Sequence, residues 1–294
     1  MFSPRQTAAL LGVSESSVKR WVDRGRIRAD RTAGGHRRIH LPELARFVRE
    51  AKMEIERPDL LGLVPNRSEP EATGQGDSDE FRQALLQGAG DQARTLLIRA
   101  FLGGASVPRL IDETLAPALR NVAGLWQRRD DGIFLEHRAV GVCETALEGL
   151  RGLLFRPGPD APVAVGGGPA LDPYTLPSHL ADTTWQAQGW RPLNLGAFTP
   201  VEVMAEAAVT ENAEAVWLAV SSAEGPESVG EMAEALVSTL NAAGWRGPVV
   251  VGGPACRRGT PVLPAPAYLV PTMVELAAFA KGLSDNRAMM DGRP

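Results

Sequence analysis

Residues 166–176 read GGGPALDPYTL, and they close the apolar run 161–165, APVAV. A short apolar run that ends in glycines is the signature of a buried strand followed by a turn. The same pattern recurs downstream. Apolar strands are predicted at 161–165, 191–196, 215–221, 248–252 and 267–270, with helices between and after them at about 174–188, 200–212, 226–243 and 271–283. Strict alternation of strand and helix predicts a doubly wound α/β domain with a parallel, five-strand, flavodoxin-like sheet over residues 158–294. In such sheets ligands bind outside the carboxyl ends of the strands, near the switch point. The residues expected there are small: Gly166–Gly168, Ser221 with Ser222, and Gly252 with Gly253. They are ordinary strand-ending residues, or together they leave a slot for a thin ligand arm. A dinucleotide is not expected: the third glycine of the fingerprint is replaced by Leu171, and Leu195-Gly-Ala-Phe198 after the second strand has no acid for a ribose.

At the other end, residues 1–56 read as a small basic domain. Ser3 before Pro4 caps a first helix, Arg5 to Leu11, which stops at Gly12. Ser14 caps a second helix, Glu15 to Arg24, whose Val18, Trp21 and Val22 share one face. Lys19, Arg20 and Arg24 lie off that face. Two short helices around a tight turn make a helix-turn-helix, whose second helix can enter a major groove. Gly34-Gly35 then turns a hairpin flanked by Arg31, His36, Arg37 and Arg38, a basic wing. Pro42 opens a third helix running to about Glu54.

Charge supports this division. Residues 1–57 carry 13 Lys and Arg against 7 Asp and Glu, whereas the remaining 237 residues carry 18 against 28. A basic head on an acidic body points to a polyanion as the head's partner, and the helix-turn-helix makes a double-stranded DNA operator the expected one. Two cysteines, Cys143 and Cys256, form no disulfide framework, which fits a reducing cytoplasm. The sequence shows no signal peptide and no run long enough to span a bilayer, so no membrane partner is expected.

Residues 57–78 are rich in Pro, Gly, Ser and acids and read as a flexible tether. Residues 79–157 show helical periodicity with breaks at Gly88-Ala-Gly90, Gly103-Gly104 and Arg129-Asp-Asp-Gly132. They predict an antiparallel four-helix bundle with helices near 79–88, 90–103, 106–128 and 132–154. Within it nine residues separate Trp126 from Glu136-His137. Trp126 could be core, and a buried Glu-His pair would need partners. Cys143 reads as a packing thiol, or as a tether for a bilin or a soft metal.

The head resembles the DNA-binding domain of the MerR family, over the motif A-x-L-L-G-V-S-x-S-x-V-x-R-W and the later R-T-x-G-G-H-R-R. That resemblance implies that Lys19 and Arg20 approach the major groove and that Arg37 and Arg38 hold phosphates. Family members continue into a long dimerising coiled coil, which is missing here. A homo-oligomer would therefore form through the later domains. Nearly the full chain resembles the CarH/LitR regulators, light-responsive transcription factors that sense adenosylcobalamin. The resemblance implies that Trp126, Glu136 and His137 line the upper corrin face and that Ser221, Gly252 and Gly253 receive the nucleotide tail. The family's lower loop carries Glu/Asp-x-His-x-x-Gly, which places Asp172 on the orienting acid and Tyr174 where the cobalt-binding His belongs. A phenol keeps its proton at neutral pH and is a poor cobalt ligand. The second His of the light sensors, directly after the tryptophan, is Gln127 here. His179 is a substitute ligand or a solvent-facing residue. Both departures argue against CarH-type photochemistry. The expectation is a non-enzymatic DNA-binding regulator whose C-terminal module senses cobalamin, bound without the usual lower His, or another tetrapyrrole, haem included. The alternatives are a ligand-independent module that mediates oligomers or protein contacts, and a corrinoid-dependent methyl-transfer enzyme.

Overall fold

The computed structural model describes residues 1–64, 74–127, 129–222, 226–257 and 259–290. They form two compact units, Met1–Ser106 with Glu113–Phe155, and Val107–Asp112 with Arg156–Pro294.

The first unit begins with the head. Helix α1, Pro4–Leu10, opens with a capping box: the Gln6 amide donates to Ser3 Oγ at 3.2 Å and the Ser3 amide to Gln6 Oε1 at 2.9 Å. Helix α2, Glu15–Asp23, is capped by Ser14, whose Oγ accepts from the Ser17 amide at 3.1 Å. Strands β1, Asp30–Arg31, and β2, Arg37–Arg38, pair antiparallel as the wing. Helix α3, Leu41–Ala51, ends earlier than its periodicity predicts, because Lys52 turns left-handed at φ 50°. Leu10, Val18, Ile27, Ile39, Leu44 and Phe47 form the buried centre, and Trp21 packs on Phe47 with ring centroids 5.0 Å apart.

The bundle follows. Helices α4, Gly74–Gln87, and α5, Gly90–Leu102, match the expected first pair. The third predicted helix is broken. It runs as α6, Val107–Leu110, a π turn, Ile111–Leu115, and α7, Ala116–Val122, with a 3-10 turn at Leu125–Gln127. Pro117 explains the interruption, since it has no N–H to offer the carbonyl four residues earlier. Helix α8, Gly132–Arg151, is the longest of the bundle and packs on α4, α5 and α7. Phe81, Leu85, Leu97, Leu115, Ala139, Cys143 and Leu147 are buried between them.

The first eight residues of the expected tether are not loose. A 3-10 turn at Pro58–Leu61 leads to a buried Leu63. Arg94 of α5 donates to the Leu61 and Gly62 carbonyls at 3.0 and 2.9 Å, and the Val64 amide donates to Thr95 Oγ1 at 3.1 Å. Residues 65–73, the middle of that stretch, lie outside the described residues. The head is also held directly. Arg49 of α3 donates to the carbonyls of Phe101, Gly104 and Ala105 at the end of α5, and its guanidinium lies 4.1 Å from the centre of the Phe101 ring. Gly103 and Gly104 end α5; the Phe101 carbonyl accepts the Gly104 amide at 3.0 Å, and the guanidinium adds a second donor there and serves the Gly104 and Ala105 carbonyls beyond the helix. Burial pushes the Arg49 pKa down.

The second unit is the α/β domain. Its strands are β3, Val163–Gly167, β4, Arg191–Asn194, β5, Ala215–Ala219, β6, Val249–Gly252, and β7, Ala267–Leu269. All pair parallel, in the order β4-β3-β5-β6-β7, with the switch point between β3 and β5. Helices α9, Leu176–Ala187, α10, Val201–Thr210, α11, Pro226–Ala242, and α12, Met273–Met290, flank the sheet. Asp112 of the π turn accepts the amides of Met273 and Val274 at 3.0 and 2.9 Å and so caps α12. Side chains alternate between two cores. Val163, Val165, Val216, Leu218, Val249 and Val251 face one. Ala164, Ala215, Trp217 and Val250 face the other, which Trp185 and Trp190 fill. The small strand residues on the second face make room for the three indoles.

Candidate functional site

The head presents a concave surface of about 500 Å³, lined by Ser3, Pro4, Arg5, Glu15, Lys19, Arg31, Gly35, His36, Arg37 and Arg38. Lys19, Arg20, Arg24, Arg31 and His36 are exposed, and Arg37 and Arg38 are half-buried. Of the sequence-predicted DNA residues, Lys19 of α2 and Arg31, His36, Arg37 and Arg38 of the wing share this surface, whereas Arg20 and Arg24 are exposed outside its lining. They are not equally available. Lys19 is paired to Glu15 one turn back at 2.8 Å, and Arg37 donates to Asp23 at the end of α2. Arg20, Arg24, Arg31 and Arg38 have no acidic partner among the described residues.

Sequence reading missed what holds the wing's base. Glu43 of α3 is almost fully buried. It accepts the Arg28 amide at 2.8 Å and the Arg46 side chain, which also reaches the Arg26 carbonyl at 2.8 Å. Burial alone would raise the Glu43 pKa. The bond from Arg46, the Arg28 amide and the charges of both arginines outweigh it and hold the carboxyl below its ordinary 4.5. The loop 26–28 that feeds the wing is thereby fixed to α3. Only the pairing of an acid with a buried face of an amphipathic helix could have signalled this in the sequence.

At the sheet's carboxyl edge the predicted residues come together, but mostly on one another. Gly166 and Gly167 belong to β3, not to a turn as the sequence suggested. A Cβ on Gly166 would lie 2.2 Å from Trp217, and one on Gly167 would lie 2.7 Å from the Gly196 carbonyl. At Gly252 it would meet the Val270 carbonyl at 2.6 Å, and at Gly253, whose φ is +111°, the Val220 carbonyl at 2.4 Å. These glycines are required by the protein's own packing. Asp172 is 1% exposed. Its Oδ1 accepts the Tyr174 amide at 3.1 Å, and its Oδ2 accepts the amides of Ser221 and of Ser222, the latter at 3.1 Å. It ties the loop after β3 to the loop after β5, across the switch point. The carboxylate that would orient an imidazole is already in use.

Some groups at this edge remain uncommitted. Ser221 Oγ is buried and has no hydrogen-bond partner among the described residues. Leu171, Tyr174 and Phe198 are 87%, 49% and 59% exposed. They surround Asp172: Leu171 precedes it, Tyr174 donates its amide to it, and the Phe198 amide donates to the Asp172 carbonyl at 3.1 Å. Phe198 is held there at φ 53°, an uncommon conformation for a bulky residue.

The residues expected on the upper face are on the bundle. Gln127 is exposed in the 3-10 turn, and the Trp126 side chain lies outside the described residues. Glu136 is half-buried and His137 exposed in the second turn of α8. Neither is buried enough to need a partner, which removes the premise of a costly buried pair. His179 is half-buried on α9, and its carbonyl accepts the Thr183 hydroxyl at 2.8 Å. Cys143 is fully buried, and burial pushes its thiol up to about 12, so it is a packing residue and no tether for a bilin. Among the described residues no group of three His, Cys, Asp or Glu side chains could hold a metal ion. The loop after β3 offers the Tyr174 phenol and a fully engaged Asp172 carboxylate, and no imidazole. No helix of the described residues is long and apolar enough to cross a membrane.

Residues 1–52 match the family described as a helix-turn-helix domain. The chain is 27% identical over 272 residues to the HTH-type transcriptional repressor CarA of Myxococcus xanthus, spanning 86% of each. Its fold is similar to that of the monomethylamine corrinoid protein of Methanosarcina barkeri, with a TM-score of 0.54 and 20% identity over 72% of this chain and all of that one. The helix-turn-helix head, the helical bundle and the five-strand parallel sheet are all present.

Proposed function

We propose that the chain is a DNA-binding transcriptional regulator, a repressor by its likeness to CarA, whose head binds an operator and whose C-terminal module senses a ligand. The observation that carries the DNA reading is the concave basic surface of the head, where α2 and the wing present cations together. Lys19, Arg20, Arg24, Arg31, His36 and Arg38 would meet the duplex, the wing residues on phosphates and α2 in the major groove. An Arg20→Ala/Arg38→Ala variant is expected to bind duplex DNA more weakly and to lower the slope of log affinity against log salt by about two. An unchanged slope would remove both residues from the interface.

For the ligand, Leu171, Tyr174 and Phe198 with Ser221 Oγ support a planar, largely apolar molecule with a hydrogen-bonding arm. Cobalamin held without a lower protein ligand fits this, and so does another tetrapyrrole. When bound, such a group would supply colour and a change of shape; Trp126, Glu136 and His137 stay in the proposal by the resemblance alone. Gly252 and Gly253 stay in the proposal only as neighbours of the arm. The second reading, a module that works through oligomers without a ligand, is favoured by Asp172 and the glycines being consumed internally. Chain purified from its own host, and chain mixed with cobalamin or haem, should show a shifted visible spectrum and altered DNA affinity. Spectra that are only the sum of the parts favour the second reading.

A further inference from the structure

We propose that Arg37 is a positioning residue, not a phosphate contact: with Asp23 it forms a strap that fixes the wing against the recognition helix. The inference rests on the DNA-binding reading above. Three observations carry it. Arg37 sits in β2, its side chain is 22% exposed, and it donates to Asp23 in the last turn of α2. The wing has only two residue pairs in its ladder, Asp30 with Arg38 and Arg31 with Arg37, and so short a hairpin is marginal unless something else holds it. Asp23 itself stands in an unfavourable place. A carboxylate at a helix C-terminus opposes the helix dipole. Placed beside a DNA-binding surface, it also repels the polyanion. The ion pair with Arg37 offsets both effects and accounts for an acid there.

The strap leaves a division of labour in the wing. Arg31 and Arg38 have no acidic partner among the described residues. His36 is exposed at the turn, its amide donating to Thr32 Oγ1 at 3.2 Å. Arg37 points back to the helix. Alternatively, Asp23 only masks Arg37 until DNA displaces it. The two accounts predict opposite signs. Removing Asp23 loosens the wing in the first and frees a cation in the second.

The test uses the full chain and a duplex that the wild type selects from a random-sequence pool, with binding followed at several salt concentrations. Failure of the wild type to select any duplex would sink the DNA-binding reading and is a different result from those that follow. With binding established, Asp23→Ala and Arg37→Ala should each weaken it roughly two- to fivefold. The salt slope should stay at its wild-type value in both. The double variant should be no weaker than either single variant, because one strap is lost once. The exchanged pair Asp23→Arg/Arg37→Asp should recover part of the loss. Arg38→Ala, by contrast, should reduce the slope by about one. Tighter binding by Asp23→Ala, or a slope reduced by about one in Arg37→Ala, would overturn the strap and make Arg37 a phosphate contact.

Discussion

The basic face of the head and the carboxyl edge of the sheet were both marked by sequence motifs, yet the motifs mean different things in the two places. On the head, Arg20, Arg24, Arg31 and Arg38 keep their side chains available. At the sheet edge, Asp172 is spent on three amides and the glycines are filled by Trp217, Gly196, Val270 and Val220. A surface motif is kept by what it meets outside the molecule. A motif at a strand end can be required by the fold itself, whether or not a ligand is present. The difference is measurable, because residues of the second kind must stabilise the protein without any ligand.

The largest effect is expected at Gly166. Its Cβ would fall within the Trp217 ring, and that indole is packed by Trp185 with centroids 6.5 Å apart and donates Nε1–H to Ser178 Oγ at 3.1 Å. Gly166→Ala should destabilise the α/β domain by about 3 kcal/mol, seen in thermal unfolding without added ligand. A change under about 0.5 kcal/mol would mean that the glycine serves a ligand rather than the core. Asp172→Ala comes next. Its amide partners at Ser221 and Ser222 lose their acceptor, and the expected loss is about 2 kcal/mol, again without ligand. Asp172→Asn keeps one acceptor oxygen and should fall between.

Arg49 tests the other side of the comparison. It belongs to the head but is committed inward, to the end of α5. Arg49→Ala should cost about 1–2 kcal/mol and release the head from the bundle. Spin labels on α2 and α8 should report one narrow distance distribution in the wild type and a broad one in the variant. A broad distribution in the wild type would restore the free tether that the composition of residues 57–78 suggests.

What the sequence revealed and what it concealed divide along sequence distance. The caps at Ser3 and Ser14, the wing turn at Gly34-Gly35 and the strand-helix alternation are local, and they stand in the structure within a few residues of their predicted bounds, except that α12 runs to Met290, past the predicted end at 283. The features misread, or in the case of Arg49 not read at all, are non-local. Gly166 answers to Trp217, Asp172 to Ser221, and Arg49 to Phe101, each about fifty residues away. Periodicity carries no information about such pairs, since each partner satisfies its own local pattern. The π turn is the exception: Pro117 marks it locally, but one proline in a long helical run does not say whether the helix kinks or stops.

The smallest expected effect on stability is at Leu171 and Tyr174, and it is the sharpest test of the comparison. Both are exposed beside Asp172, and the Tyr174 contact to Asp172 is made by its backbone amide, which any residue supplies. Leu171→Ser/Tyr174→Ser should therefore unfold within about 0.5 kcal/mol of the wild type. The apolar ledge would be gone while the loop stayed tied. If cobalamin or haem shifts its spectrum with the wild type and not with this variant, the ledge is the uncommitted part of an otherwise self-satisfied edge. If the variant binds as the wild type does, the ligand lies elsewhere and the edge is structural throughout. A large loss of stability would break the distinction between committed and uncommitted residues on which the comparison rests.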